Sequence, residues 1–300
     1  MKQFVYLVQY LTLLPFVATA KILTIRQRRE MAGVVGWFLY YFFILFPFFL
    51  KKRYSIFAKN LEIIHGRKLE KAEIKKHLKE YLCNTSLLFF ESFAFQDKDI
   101  PWLKNNLVFD ADFLKKLAEL HKKGERIVIS SIHIGNWELI HHYLTDVLNL
   151  KVALIYRKQN NEYFEKFLSN SRQKASTIDK KDKNAIKKIS KLLDEKHIIM
   201  VLLDQRDISH GENIKICGME AKIPTALVRY AIKTKCHILS GISFRNNQKI
   251  HIEIQNDLTP QTLSNKTTTE ISQQLFDGFS TAIKTHTTQW YCLMHDLWKK

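Results

Sequence analysis

Cysteine is scarce in this chain, with four among 300 residues, at 83, 217, 236 and 292. No two stand as Cys-x-x-Cys, so neither a zinc knuckle nor a disulfide framework is indicated, and a reducing compartment fits best. Gly-x-Ser-x-Gly is missing, which argues against a serine nucleophile on a strand-to-helix elbow. His-Glu-x-x-His is missing too, and no internal repeat is visible. Acidic residues are nearly absent from the start of the chain. Residues 1–61 hold one, Glu30, against nine Lys or Arg. Over the whole chain 47 Lys and Arg face 29 acids, giving a net charge of +18. Such a balance points to anionic partners: membrane lipid, nucleic acid or an acidic protein. Nucleic acid is disfavoured, because the aromatics are densest in the apolar N-terminal segments and are not interleaved with basic residues as stacking platforms.

What is present begins with apolar sequence. Phe4 to Ala20 is apolar apart from Gln9 and its threonines, with Pro15 inside. Ala18-Thr19-Ala20 has the small residues of a signal-peptidase site. A second uncharged run, Met31 to Leu50, follows at once, and a secreted enzyme would hardly keep it. That run is 20 residues long, about 30 Å as a helix and enough to span a hydrocarbon core, with Pro47 kinking its end. Lys21, Arg26, Arg28 and Arg29 precede it and Lys51, Lys52 and Arg53 follow. Basic residues on both sides favour cytoplasmic placement of both ends. Either a spanning first segment with an interfacial second, or a hairpin, satisfies this; a buried core helix is the soluble alternative. Residues 1–53 are therefore read as a membrane anchor of interfacial helices and 54–300 as a separate domain.

Beyond the anchor, Ala58 to about Phe95 reads as helix, as do Asp112 to Lys122, Asn160 to Arg172 and Thr268 to Thr287. Apolar, β-branched runs at 126–129, 151–156, 197–203 and 237–243 read as buried strands, and Ile250 to Gln255 alternates like an edge strand. Asn256 to Thr267 reads as a loop. Strands alternating with helices predict an α/β fold with a mixed central sheet flanked by helices.

The stretch that carries chemistry is SSIHIGNWEL, residues 130–139. His133 falls where a buried strand gives way to a helix, the usual place for a site in an open α/β sheet. Glu138 lies five residues on, and a bend at Gly135 would let its carboxylate fold back onto the imidazole. There it would fix the tautomer and leave the other ring nitrogen free to take a proton. His133, Glu138 and His142 also suit one metal ion by residue type. Cys217, next to Gly218, is the best thiol for a covalent route, although direct transfer between two bound substrates needs no nucleophile.

His-x-Gly-Asn-Trp-Glu after an apolar strand resembles the late acyltransferases of lipid A biosynthesis, a branch of the His-x4-Asp/Glu glycerolipid acyltransferases. The resemblance extends over most of the chain. Asn60-Leu61 and the segment from Asn84 to Glu91 look like the family's amphipathic region. Arg157 after the second strand, Arg172 fifteen residues on and Asp204-Gln205 after the third strand stand at matching places, as does Pro224-Thr225. Near the C terminus Gln289-Trp290 and His295-Asp296-Leu297-Trp298-Lys299 keep the family's frame but replace both of its arginines.

The resemblance implies an enzyme of the cytoplasmic side of a bacterial inner membrane, with no cofactor and no metal. It would move an acyl chain from an acyl carrier protein thioester to a hydroxyl of a phosphorylated lipid A precursor. His133 and Glu138 would act as a general-base pair. Arg157, Arg172, Asp204, Gln205 and Asn136 would serve substrate binding, with Asp204 positioning an arginine, and Arg157, Arg172 or backbone N–H groups near Asn136 would face the oxyanion. The lysine-rich segment 174–191 is the candidate docking face for the acidic carrier. Acylation of another membrane lipid, a lysophospholipid or an aminolipid, is the rival enzyme reading. A basic membrane-binding protein without catalysis is the rival from another class.

Overall fold

The computed structural model describes residues 2–298 apart from Phe93, so Lys299 of the C-terminal frame lies outside the described residues. Four helices come first: α1 (Lys2–Ile22), α2 (Ile25–Leu45), α3 (Pro47–His65) and α4 (Lys71–Ser92). Then follow α5 (Ile100–Asn106), β1 (Leu107–Phe109), α6 (Ala111–Lys123), β2 (Ile127–Ser131), α7 (Glu138–His142), β3 (Val152–Tyr156), α8 (Glu162–Ser171), β4 (Ser176–Asp179) and α9 (Ala185–Asp194). The chain ends with β5 (Ile198–Leu202), β6 (Glu212–Ile216), β7 (Met219–Ile223), α10 (Ala226–Lys233), β8 (His237–Asn246), β9 (Lys249–Leu258), α11 (Pro260–Ser264) and α12 (Thr268–Thr285).

The uncharged run expected to form one helix is broken. α2 stops at Leu45, Phe46 takes φ −118° and ψ 55°, and Pro47 opens α3. Proline has no N–H to donate and crowds the residue before it out of the helical region. The axis turns by 107° between α2 and Leu50–His65. Among the described residues no single helix is long and apolar enough to cross a membrane; only this bent pair reaches that length and apolarity. The longer helical stretch from Ala58 is likewise divided, at Gly66, whose φ of 65° caps α3. The division expected after residue 53 falls inside α3, which runs unbroken, and its Phe57, Leu61 and Ile64 belong to the main core.

α2 has two faces. Arg28, Ala32 and Gly36, four residues apart, are buried, and a Cβ on Gly36 would lie 2.6 Å from the Cys83 Cα of α4. The opposite face exposes Val34, Trp37, Phe38, Tyr41 and Leu45. Arg28 is fully buried and its guanidinium forks onto Asp99, Nη2 to Oδ1 at 3.0 Å and Nη1 to Oδ2 at 2.9 Å.

The central sheet has seven strands in the order β1-β9-β8-β2-β5-β3-β4. Every neighbouring pair is parallel except β8 and β9, which form an antiparallel hairpin. The sheet is therefore mixed, as the late alternating strand suggested. Side chains of β2 alternate between two cores: Val128 packs with α3, α4, α10 and α12, while Ile127 and Ile129 face α6 and α7. β1 and β4 are too short to show a period, whereas the β6–β7 hairpin, which lies outside the expected strands, alternates apolar Ile214, Ile216, Ala221 and Ile223 with polar residues on either side of Gly218. β4 lies within the lysine-rich segment, and part of the expected loop 256–267 is the end of β9 and α11.

Candidate active site

Parallel neighbours bring their carboxyl ends to one edge, and the side chains of interest follow those ends. His133 follows β2, Asp204 and Gln205 follow β5, Arg157 follows β3, and Lys180 follows β4. Tyr156 and Asp179 are register partners, so Arg157 and Lys180 leave the sheet side by side.

Asp204, not Glu138, holds the imidazole. Asp204 Oδ1 lies 2.6 Å from His133 Nδ1, and Oδ2 accepts the His133 backbone N–H at 2.9 Å and Trp290 Nε1–H at 2.8 Å. A carboxylate on Nδ1 makes that nitrogen the proton carrier and leaves Nε2 as the acceptor. Burial alone would raise the Asp204 pKa, but the charge of His133 and these donors hold it below the usual carboxylate range. The Nε2 edge meets Gln205 Nε2 at 3.5 Å, a loose contact. Trp137 stands edge-on to the ring at 4.8 Å between centroids.

The loop after β2 is fixed by a segment far away in sequence. Ile134 bridges Trp290, Gly135 N–H donates to Gln289 O at 3.0 Å, and Tyr291 N–H donates to His133 O at 2.8 Å. Gly135 takes φ 61°, and a Cβ there would sit 2.3 Å from Ser243 O, so this turn needs glycine. Asn60 holds the same C-terminal segment by donating Nδ2–H to Leu293 O and His295 O at 2.9 and 2.8 Å. Trp290, Gln289 and Asn60 thus orient the site. Their sequence signal was their place in the family frame, since Trp290 and Gln289 lie more than 150 residues from His133.

Glu138 does not fold back onto His133. It opens α7 pointing the other way, where Arg172 grips it with Nη2 to Oε1 at 2.5 Å and Nε to Oε2 at 3.2 Å, and Trp137 Nε1–H adds a bond at 3.2 Å. Both side chains are nearly buried, at 10% and 11% exposure. Desolvation works against the charged carboxylate, but Arg172 and His141 outweigh it and pull the pKa down to about 2. The Arg172 guanidinium also lies over the Tyr156 ring at 5.3 Å. Its fork is committed to protein. The Asp204 role expected toward an arginine is likewise corrected, because its acceptors are used by His133 and Trp290.

Asn136 is 1% exposed and both its amide ends are used: Nδ2–H donates to Glu91 at 2.9 Å and Oδ1 accepts from Ser92 at 2.7 Å. Its side chain braces the loop. The backbone N–H groups of Asn136 and Trp137 find no acceptor among the described residues. Arg157 is exposed. Lys180 Nζ reaches Gln205 Oε1 at 3.4 Å, and burial, then the nearby Arg157, lowers its pKa.

The metal set suggested by residue type is dispersed: Glu138 faces Arg172, and His142 Nδ1 meets Asp146 at 2.9 Å. His133, Asp204 and Cys292 do place ligand atoms within 4.8 Å of one another. Two zinc ligands in tetrahedral geometry stand about 3.3 Å apart, given metal bonds of about 2.0–2.1 Å, so the 2.6 Å between His133 and Asp204 is a hydrogen bond. Cys217 is buried, bonds Ser280 and has its pKa pushed up to about 11 by burial, which leaves it a poor nucleophile. Among curated proteins none matches the chain in sequence. The family model for bacterial lipid A biosynthesis acyltransferases matches residues 2–300, so the chain belongs to that family and is an enzyme that transfers acyl groups.

Proposed function

We propose that this enzyme moves a fatty acyl chain from an acyl carrier protein thioester to a hydroxyl of a phosphorylated lipid A precursor, with His133 as general base. The observation that carries this reading is the 2.6 Å bond from His133 Nδ1 to a buried carboxylate, with Nε2 left toward the sheet edge. Nε2 takes the hydroxyl proton as the oxygen attacks the thioester carbonyl, and Asp204 stabilises the imidazolium. When the tetrahedral intermediate collapses, the C–S bond breaks and the imidazolium returns its proton to the leaving thiolate. No acyl-enzyme forms. The open N–H groups of Asn136 and Trp137 are the candidate donors to the oxyanion. Glu138 and Arg172 act by bracing the start of α7 against the end of α8.

Arg157 and Lys180 lie on one side of His133 and supply positive charge where an anionic acceptor would enter. The exposed apolar face of α2, with basic residues at its start, supports adsorption to the inner membrane from the cytoplasmic side. The net charge of +18 favours encounter with an acidic carrier. The test is a transfer assay with purified enzyme, offering acyl carrier protein and acyl-CoA donors against a phosphorylated disaccharide lipid and a lysophospholipid. Transfer from the carrier to the disaccharide lipid is expected to be fastest. Faster transfer to the lysophospholipid would overturn the acceptor, and faster transfer from acyl-CoA the donor.

A further inference from the structure

A cavity of about 760 Å³ opens between α2, α4, α5 and the β8–β9 turn, lined by Arg26, Arg29, Trp102, Asn106, Arg245 and Asn247 among others. None of these residues takes part in the chemistry above. Two of the arginines approach one buried carboxylate from different sides. Arg245 Nη2 donates to Glu91 Oε2 at 2.6 Å, and Arg29 Nε lies 3.3 Å from Oε1. Glu91 is fully buried. Two guanidinium charges against one carboxylate leave a positive excess, because Arg26 is matched by Glu30 at 3.2 Å on its own helix.

Hydrogen bonding is incomplete in the same place. Arg245 Nη1 is buried and has no acceptor, and Glu91 Oε1 receives no aligned donor. Arg29 is held in position by Nη1–H to Gln248 O at 3.0 Å and by the Trp102 ring, 5.7 Å from its central carbon. Buried charge without a partner is costly, and a buried donor without an acceptor adds to that cost. An anion in the cavity supplies the missing charge. Planar guanidinium forks suit phosphate oxygens in particular.

The surroundings say what the anion is attached to. From Arg29, α2 runs on to its exposed Val34, Trp37, Phe38 and Tyr41. A ligand whose head sits between the arginines therefore has an apolar helix face beside it. We propose that this cavity binds the phosphate of an anionic lipid, Arg29 and Arg245 gripping the head while the chains lie along α2. Glu91 also accepts from Asn136 Nδ2 at 2.9 Å, so the head rests one side chain from the loop that carries His133. The site stands on binding alone and does not depend on the proposed acceptor.

The experiment is calorimetric titration of the full chain in a neutral detergent with three probes: dihexanoyl phosphatidic acid, dihexanoyl phosphatidylcholine and inorganic phosphate. Phosphatidic acid should bind saturably, with the other two at least about tenfold weaker, the scale expected when a charge-assisted pair or the apolar contact is lost. Arg29→Gln should weaken phosphatidic acid by about tenfold or more on the same ground. Asn247→Asp places a like charge in the cavity without touching Glu91, and should weaken it similarly while the thermal midpoint stays unchanged. His133→Ala should bind as wild type does. No saturable binding to wild type, or undiminished binding in Arg29→Gln and Asn247→Asp, overturns the site; inorganic phosphate binding as tightly as phosphatidic acid overturns the lipid.

Discussion

Asp204 gathers the site around itself. It is buried, and it accepts one N–H from the loop backbone, one from the imidazole and one from the Trp290 indole. Three donors on one carboxylate keep it ionised and fix where the His133 ring can lie. Glu138 has a different job, although it sits in the more familiar place in the sequence. With Arg172 it makes a buried pair, and removing one partner of such a pair costs about 3–5 kcal/mol because the other is left uncompensated. Glu138→Gln should therefore lower unfolding stability in urea by an amount on that order, with a much smaller loss of transfer rate per folded molecule. Unchanged stability with a rate collapse would return Glu138 to the imidazole.

At the scale of elements, the strands that carry the site were legible and their junctions were not. The runs ending at 129, 156 and 203 are apolar and β-branched because both faces of a central strand are covered by helices, and they appear as β2, β3 and β5. Their carboxyl ends named His133, Arg157 and Asp204-Gln205. Which carboxylate meets His133 was not legible, because it depends on β2 and β5 being neighbours in the sheet, a pairing with no local signature. Gly135 makes the turn its sequence predicts, but the turn directs Glu138 toward Arg172. Asn136 looked like a ligand-binding turn residue. Its burial comes from Glu91 and Ser92 on α4, more than 40 residues away. The kink at Pro47 was expected at the end of a helix; the structure makes it a 107° break that sets α3 into the core.

For the whole molecule, a basic chain of net charge +18 presents one apolar helix face beside a cavity lined by arginines. The proposed membrane adsorption belongs to that surface. Trp37→Ser with Phe38→Ser removes two exposed rings, at 51% and 64% exposure, and should release the enzyme from anionic vesicles in a flotation assay while its thermal midpoint stays within error. Retention on the vesicles would place the membrane contact elsewhere. The orienting carboxylate is the feature on which the chemistry turns, and the acyl-transfer rate of Asp204→Asn tests it most directly. Replacing the orienting Asp of a His–Asp pair by Asn costs about 10⁴-fold where it has been measured in a serine hydrolase. The predicted result here is a loss of about 10³- to 10⁴-fold with the fold retained. A folded Asp204→Asn enzyme that transfers acyl groups at the wild-type rate would contradict it.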